Sequence, residues 1–466
     1  PAFDLKCLLG TVTKVGHDDT VVEGGTGTMA KVYRNYTEGK TKKELIGNIG
    51  FGEAVEVDKG LKKKVLITGA GSYIGQSFIA YAKKYYPENF EIDELDMMGD
   101  AWKEYDFSQY DIIYHVAGIA HADVGNVSDE TKEKYYQVNT DLTIEVAQKA
   151  KEENVKEFIF MSSMIVYGES APYGKKKVID EYTVPTPANF YGDSKLQADV
   201  AVRELADDNF KVIVLRPPMI YGMGSKGNYP VLAKLAKKSP IFPDVDNERS
   251  MLYIENLCEF LCQVMLVRKI RRNAIVLIPQ NAEWTNTSVM VTQIANISGK
   301  KIVGLKVMRP AVVIGGKMPG KIGGLINKAF GNNCYAHELS KYQGIDYQKS
   351  TLEESVKLTE ANIVNQKKCV LMLASVASMI DQFNMSNIDI LLNMGYRVDV
   401  ACNFGFGSTC SDEKITELKS KLKEKGVECY QVDFTRNVMN LIQDDKAYRQ
   451  VRKLVENNRY DLIHCH

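Results

Sequence analysis

The sequence predicts an α/β protein: a doubly wound parallel sheet with a smaller carboxy-terminal lobe, followed by a partial second α/β unit. Three observations predict it. Short β-branched runs alternate with amphipathic stretches from Lys62 onward, a glycine-rich turn joins the first run to the first helix, and the alternation starts again at Lys367.

In chain order, strands are expected at residues 64–67, 90–95, 112–116, 157–160 and 211–215, with helices at 74–86, 131–153 and 194–205 between them. That order is the signature of repeated βαβ units around a parallel sheet. After Pro217 the alternation loosens, and helices near 229–238, 254–268 and 287–298 form the smaller lobe. It would sit over the carboxyl edge of the sheet, where ligands bind in such folds. From Lys367, strands at 369–373, 397–401, 429–432 and 462–463 alternate with helices near 384–394, 412–425 and 439–456. A partial sheet of this kind exposes apolar surface unless a partner covers it.

The boundaries follow: residues 1–60 as a poorly structured tail, 62–360 as the main domain and 367–466 as the second α/β unit. The tail has few apolar runs around Gly24-Gly25-Thr26-Gly27 and the charged Glu38–Glu44 stretch, too little for a core of its own. The chain opens at Pro1 and stops inside an expected strand at His466, which reads as a piece of a longer product.

Lys plus Arg and Asp plus Glu both total 59, so no net field draws in nucleic acid. Nine scattered cysteines without a CxxC pair read as reduced thiols in a cytoplasmic protein. No apolar run reaches the roughly 20 residues of a membrane span, so any membrane association would be peripheral.

The strongest local signal is the run from Val65 to Gly75, which follows the first strand and opens a helix. There Gly69, Gly71, Ser72, Tyr73, Ile74 and Gly75 put backbone N–H groups and the positive helix end where a pyrophosphate can sit, the mark of a Rossmann-type site. Asp96, at the end of the second strand, suits the ribose hydroxyls and repels a 2'-phosphate, which favours NAD.

The second signal is Tyr191-Gly-Asp-Ser-Lys195, whose spacing puts phenol and ammonium on one helical face. A lysine cation and an oxidised nicotinamide favour phenolate, which makes the tyrosine a general base. Ser163, in Met161-Ser-Ser-Met164, is the hydroxyl expected to hold a substrate oxygen beside it, with Ser162 next in line.

These residues resemble the extended short-chain dehydrogenase/reductase family, the NAD-dependent epimerase/dehydratase group. The resemblance implies an adenine contact at Asp106 and Phe107, a cofactor loop at Ala117 and Gly118, and a brace for the active-site helix at Asn139. It implies that Pro217 lines the nicotinamide and that Arg249 grips a nucleotide diphosphate, a task suited to a guanidinium fork. The family has glycine where this chain has Ser72. Its dehydratases carry an Asp-Glu pair after the catalytic hydroxyl, where this chain has Met164-Ile165, so elimination is disfavoured.

The implied activity is epimerisation at a ring carbon, C4 of a UDP-hexose by preference, for surface polysaccharide synthesis. A keto-sugar reductase and a non-catalytic dinucleotide-binding scaffold are the alternatives, and a homodimer stays open. Residues 1 to about 35 resemble the tail of a polyprenyl-phosphate sugar-1-phosphate transferase, and 367–466 the amino-terminal half-domain of a glycosyltransferase. No metal is expected: His464-Cys-His466 alternates faces, His115 and His121 read as local hydrogen-bonders, and Cys258 and Cys262 as core.

Overall fold

Apolar runs bounded by helix-forming stretches fold as a parallel sheet because each helix carries the chain back to the starting edge. The computed structural model describes residues 12–15, 19–23, 29–33, 35–119, 127–318, 321–365, 368–405, 411–435, 441–458 and 460–465. Gly24 to Gly27, His121, Lys367 and His466 lie outside them. The chain divides into two units, residues 1–360 and 361–466.

The first unit opens with three short antiparallel strands, β1 (Val12–Val15), β2 (Asp19–Glu23) and β3 (Met29–Tyr33), and helix α1 (Lys42–Ile46). The amino-terminal segment thus carries more regular structure than its composition suggests. The charged stretch itself makes the helix: the Thr41 side chain accepts from Glu44 N, while the Glu44 carboxylate takes Thr41 N at 2.7 Å, a closed capping box.

There follow β4 (Lys63–Thr68), α2 (Tyr73–Tyr85), β5 (Phe90–Leu95), β6 (Ile112–His115), α3 (Asp129–Tyr136), α4 (Leu142–Glu152), β7 (Glu157–Met161) and β8 (Val178–Ile179). Then come α5 (Phe190–Glu204), β9 (Lys211–Leu215), β10 (Met219–Tyr221), α6 (Asn228–Lys238), β11 (Ile241–Pro243), β12 (Met251–Tyr253), α7 (Ile254–Met265) and β13 (Ala274–Leu277). Six strands form one parallel sheet in the order β13-β9-β7-β6-β4-β5. The order reverses between β4 and β6, which places the topological switch point at the turns that follow those two strands.

Alternate residues feed two cores. Val65 and Ile67 join a cluster with Phe78, Leu257 and Leu261, whereas Leu66 joins one with Phe158, Phe160 and Val212. Each such side chain contributes roughly 1.5–3 kcal/mol by leaving water. Cys258 and Cys262 are fully buried in the first cluster, as their spacing suggests.

The main unit also begins earlier than residue 62. Residues 48–50 run along β13, with Val276 N donating to Asn48 O (2.8 Å) and Gly50 N to Val276 O (2.9 Å). An edge strand has unpaired backbone groups, and this segment covers part of that edge. The carbonyls of Leu45 and Ile46 in α1 accept from Arg216 at 3.1 and 3.0 Å, so the helix is tied to the end of β9.

The lobe continues with α8 (Thr287–Ile297), β14 (Val303–Leu305), α9 (Arg309–Gly316), α10 (Lys321–Phe330), β15 (Cys334–Tyr335) and α11 (Leu352–Asn365), and three parallel strand pairs, β10-β12, β11-β14 and β15-β8, stitch it together.

The second unit has β16 (Cys369–Val376), α12 (Ala377–Met379), α13 (Met385–Asn393), β17 (Arg397–Asn403), α14 (Asp412–Glu424), β18 (Glu428–Gln431), α15 (Leu441–Asn457) and β19 (Leu462–Cys465). Its parallel sheet runs β18-β17-β16-β19 around a small core of Met372, Ile388, Val400 and Leu418.

Candidate active site

The glycine turn occupies Gly69 to Ser72 between β4 and α2. Gly69 has φ +119°, and a Cβ there would lie 2.7 Å from Ala117 N, so the turn presses on the loop after β6. Gly71 also has positive φ, +71°, but faces open space. Ser72 caps α2, its hydroxyl accepting from Gly75 N at 3.2 Å. That bond explains why serine serves where the related family has glycine: the helix start gains a cap and keeps its free N–H end. Tyr73 and Ile74 open the helix, and a Cβ on Gly222 would come within 2.9 Å of the Tyr73 hydroxyl.

Gly69 N and Ala70 N donate to Leu95 O at 3.0 and 3.1 Å, which puts Asp96, the next residue, beside the turn. Asp96 is exposed and its carboxylate takes Met98 N at 3.0 Å. Glu94, not singled out from the sequence, reaches the turn itself. Its carboxylate accepts from Gly71 N at 3.1 Å and from the Gln76 amide at 2.6 Å.

Asp106 and Phe107 do not come to this place. The connection from β5 to β6 must travel from the carboxyl edge of the sheet to its amino edge, and these two residues lie at its far end. Phe107 is fully buried, with its N–H held by Glu153 at the end of α4 (2.5 Å), and Asp106 takes Ser108 N at 2.9 Å. The expected adenine contact is therefore corrected to a core anchor and a turn cap.

Three side chains gather on the other side of the switch point. Ser163 stands just past β7, its hydroxyl accepting from Ile165 N at 3.3 Å and near enough to the Tyr191 phenol to favour its ionised form. Tyr191 lies in the first turn of α5, where the Asn189 side chain caps Gly192 N at 3.0 Å. Lys195, one turn on, is buried; its Nζ donates to Met161 O (3.1 Å) and sits 4.9 Å over the Phe160 ring. A Cβ on Gly118 would be 3.0 Å from that Nζ, so the loop carrying Ala117 and Gly118 bridges the glycine turn to Lys195.

The electrostatics differ from the expectation. Burial pushes the Tyr191 phenol up to about 12, with Tyr135 adding to the rise and the Ser163 bond opposing it. Burial also brings Lys195 down to about 8. Desolvation disfavours the charged form of each, so the protein alone holds Tyr191 protonated.

Asn139 is buried in a π turn, Gln137–Asp141, inserted where one unbroken helix was expected. The extra residue per turn aims its amide both ways: Ile119 N donates to Oδ1 (2.8 Å), and Nδ2 donates to Ile119 O and to the Ser194 hydroxyl, both at 3.1 Å. Ser194 in turn donates to Tyr191 O at 2.9 Å. A buried chain continues from Asn139 O through the Thr143 hydroxyl (2.8 Å) and His115 (3.1 Å) to Thr68 (2.8 Å). His115 is lowered to about 3, chiefly by burial and then by Lys195, and so stays neutral. Sequence reasoning missed Thr68, Thr143 and Ser194, because their roles arise only from contacts across elements.

Pro217 follows β9 and accepts Met164 N at 2.9 Å, which fixes the turn that carries Ser163. Arg249 lies in the lobe, held by backbone bonds with Thr285, and donates to Lys328 O. It lines a cavity of about 70 Å³ with Met219, Met251, Thr287 and Leu325. Asn333 joins the two halves: its backbone bonds the strand of Arg249, and its amide meets Met164 Sδ at 3.1 Å. No group of three potential metal ligands occurs among the described residues.

A strand, glycine turn and helix at the switch point of a parallel sheet, beside a buried serine, tyrosine and lysine, define the class: a dinucleotide-dependent α/β enzyme. Residues 65–278 match the model of the NAD dependent epimerase/dehydratase family. The chain is 29% identical over 223 residues to UDP-glucose 4-epimerase of Vibrio cholerae, covering 44% of this chain and 67% of that one. It is 26% identical over 274 residues to N-acetyl-alpha-D-glucosaminyl-diphospho-ditrans,octacis-undecaprenol 4-epimerase of Escherichia coli O157:H7, covering 55% and 78%. Among solved structures, a UDP-glucuronic acid 4-epimerase from Bacillus cereus in complex with NAD aligns with TM-score 0.49 at 18% identity, over 64% of this chain and 96% of that one.

Proposed function

We propose that the chain epimerises a nucleotide-sugar, a UDP-hexose at C4, by oxidising a ring carbon and reducing it again on the other face. The observation that carries this reading is the gathering of Ser163 past β7 with Tyr191 and the buried Lys195 on α5, one loop away from the glycine turn. Bound NAD supplies the hydride acceptor and donor and, when oxidised, a positive charge.

The cofactor fits the residues present. Gly69 leaves no room for a side chain, α2 presents its amino end, and Asp96 stands beside the turn. Gly71, Ser72, Tyr73, Ile74 and Gly75 would surround the pyrophosphate, and Ala117, Gly118, Asn139 and Pro217 the nicotinamide end. Ser163 would hold the sugar hydroxyl against Tyr191, which takes its proton when a cation nearby lowers the phenol from about 12. Lys195, near 8, supplies part of that cation at neutral pH. Arg249 would hold the diphosphate from the lobe, because a half-buried guanidinium fork suits phosphate oxygens.

Epimerisation is preferred to elimination because Met164 and Ile165 offer no acid. The second unit as a glycosyltransferase half-domain, the tail as part of a sugar-phosphate transferase, a role in surface polysaccharide synthesis, a homodimer and a cytoplasmic setting belong to the same proposal.

The test is incubation of the purified chain with UDP-glucose, UDP-N-acetylglucosamine and NAD, with products resolved by chromatography. Interconversion of 4-epimers is expected, falling by about 10²- to 10⁴-fold in Tyr191→Phe while NAD affinity persists. Oxidation of added NADH in step with product would favour the reductase. No turnover across a panel of nucleotide-sugars would sink the enzymatic reading and leave the scaffold.

A further inference from the structure

From Trp284 to His337 the chain has no Asp or Glu and seven Lys or Arg, although its overall charge is zero. This stretch builds all of α8, β14, α9 and α10. Helix α9 buries Val312 and Gly315 and leaves Pro310, Ala311, Val313 and Ile314 exposed, so its outward positions are all apolar. A surface helix ordinarily shows the reverse pattern. Val307 is 81% exposed, Ile314 66%, and Leu325 of α10 67%.

The two helices pack closely: Asn327 Nδ2 of α10 donates to Gly316 O of α9 at 2.9 Å, and a Cβ on Gly315 would meet Ile326 at 2.4 Å. Lys306, Lys317 and Lys328 are exposed alongside the apolar positions. Leu325 and Lys328 also line the cavity at Arg249.

We propose that the α9–α10 hairpin docks on an anionic lipid bilayer, entering it to shallow depth beside the mouth of the Arg249 cavity. Exposed aliphatic side chains among lysines, in a stretch cleared of carboxylates, match the acyl boundary and phosphate layer of such a surface. A protein interface is instead depleted of lysine at its core and has no need of one-sided charge. Attachment is peripheral, since no described helix is long and apolar enough to cross a membrane. The proposal rests on this surface and not on the catalytic reading.

The test is co-sedimentation of the full chain with vesicles of equal parts phosphatidylglycerol and phosphatidylcholine, and with phosphatidylcholine alone. Binding to the anionic vesicles is expected, weakened by salt. It should fall roughly tenfold in Ile314→Glu and less steeply in Lys317→Glu. Ile390→Glu, at a residue 56% exposed on α13 of the other unit, should bind as the unaltered chain does. Equal binding to both vesicles, undiminished binding by Ile314→Glu and Lys317→Glu, or a dimer in analytical ultracentrifugation that Ile314→Glu dissolves would overturn the proposal.

Discussion

Asn139 donates a 3.1 Å hydrogen bond to the Ser194 hydroxyl, and through it the loop after β6 is tied to the helix that bears Tyr191 and Lys195. The same amide closes both Ile119 backbone groups. Asn139→Ala leaves both half-buried Ile119 backbone groups without this partner and removes the donor to the Ser194 hydroxyl, which keeps its bond to Tyr191 O. A loss of roughly 2–3 kcal/mol in urea unfolding is expected. Turnover should drop by about 10²-fold with little change in KM, because the tyrosine loses its orientation before the substrate loses its contacts. A variant that turns over normally would separate Asn139 from the site.

Gly69 and Gly71 make a contrasting pair. Both have positive φ, but only Gly69 has backbone within 2.7 Å of a would-be Cβ. Gly69→Ala is expected to abolish NAD binding and to lower stability by about 2–4 kcal/mol, from strain and collision together. Gly71→Ala carries strain alone, about 1 kcal/mol. Titration calorimetry with NAD and thermal unfolding of both variants check the ranking.

Asp199 sits between two arginines, bonded by Arg216 Nε and a terminal nitrogen at 2.8 Å each and by Arg203 Nε at 2.9 Å, with Asp199 and Arg216 fully buried. Both arginines hold Asp199 below the usual carboxylate range, against its burial. Asp199→Asn leaves a buried guanidinium without its counter-charge, and a loss of roughly 3–5 kcal/mol is expected. Replacing Asp199 and Arg216 together by leucine and methionine should cost less than the single change. A larger loss in the double variant would count against ion pairing as the cause.

His115 is held at about 3 against an ordinary 6.5, so between those values the folded state binds fewer protons than the unfolded chain. Its contribution to stability is complete above 6.5 and disappears as pH falls toward 3. The full effect approaches roughly 4–5 kcal/mol. Urea midpoints measured from about pH 7 down to about pH 4 should fall less steeply in His115→Asn than in the unaltered chain. Parallel slopes would place the acid lability elsewhere.

What could be read from the sequence was whatever depends on neighbours along the chain. A strand, a glycine turn and a helix follow one another within eleven residues from Val65 to Gly75, and Tyr191 and Lys195 share a face because helical spacing is set locally. The sheet followed from the alternation of elements.

Tertiary structure decided what depends on separation in space. Whether Asp106 and Phe107 reach the cofactor turn was a matter of which sheet edge their connection ends on, and it ends on the far one. That Glu94 touches Gly71, and that an inserted residue points Asn139 at Ser194, required two elements distant in sequence to meet. The protonation of Tyr191 also had to await the fold, because burial, a property no residue carries by itself, is what chiefly raises its phenol.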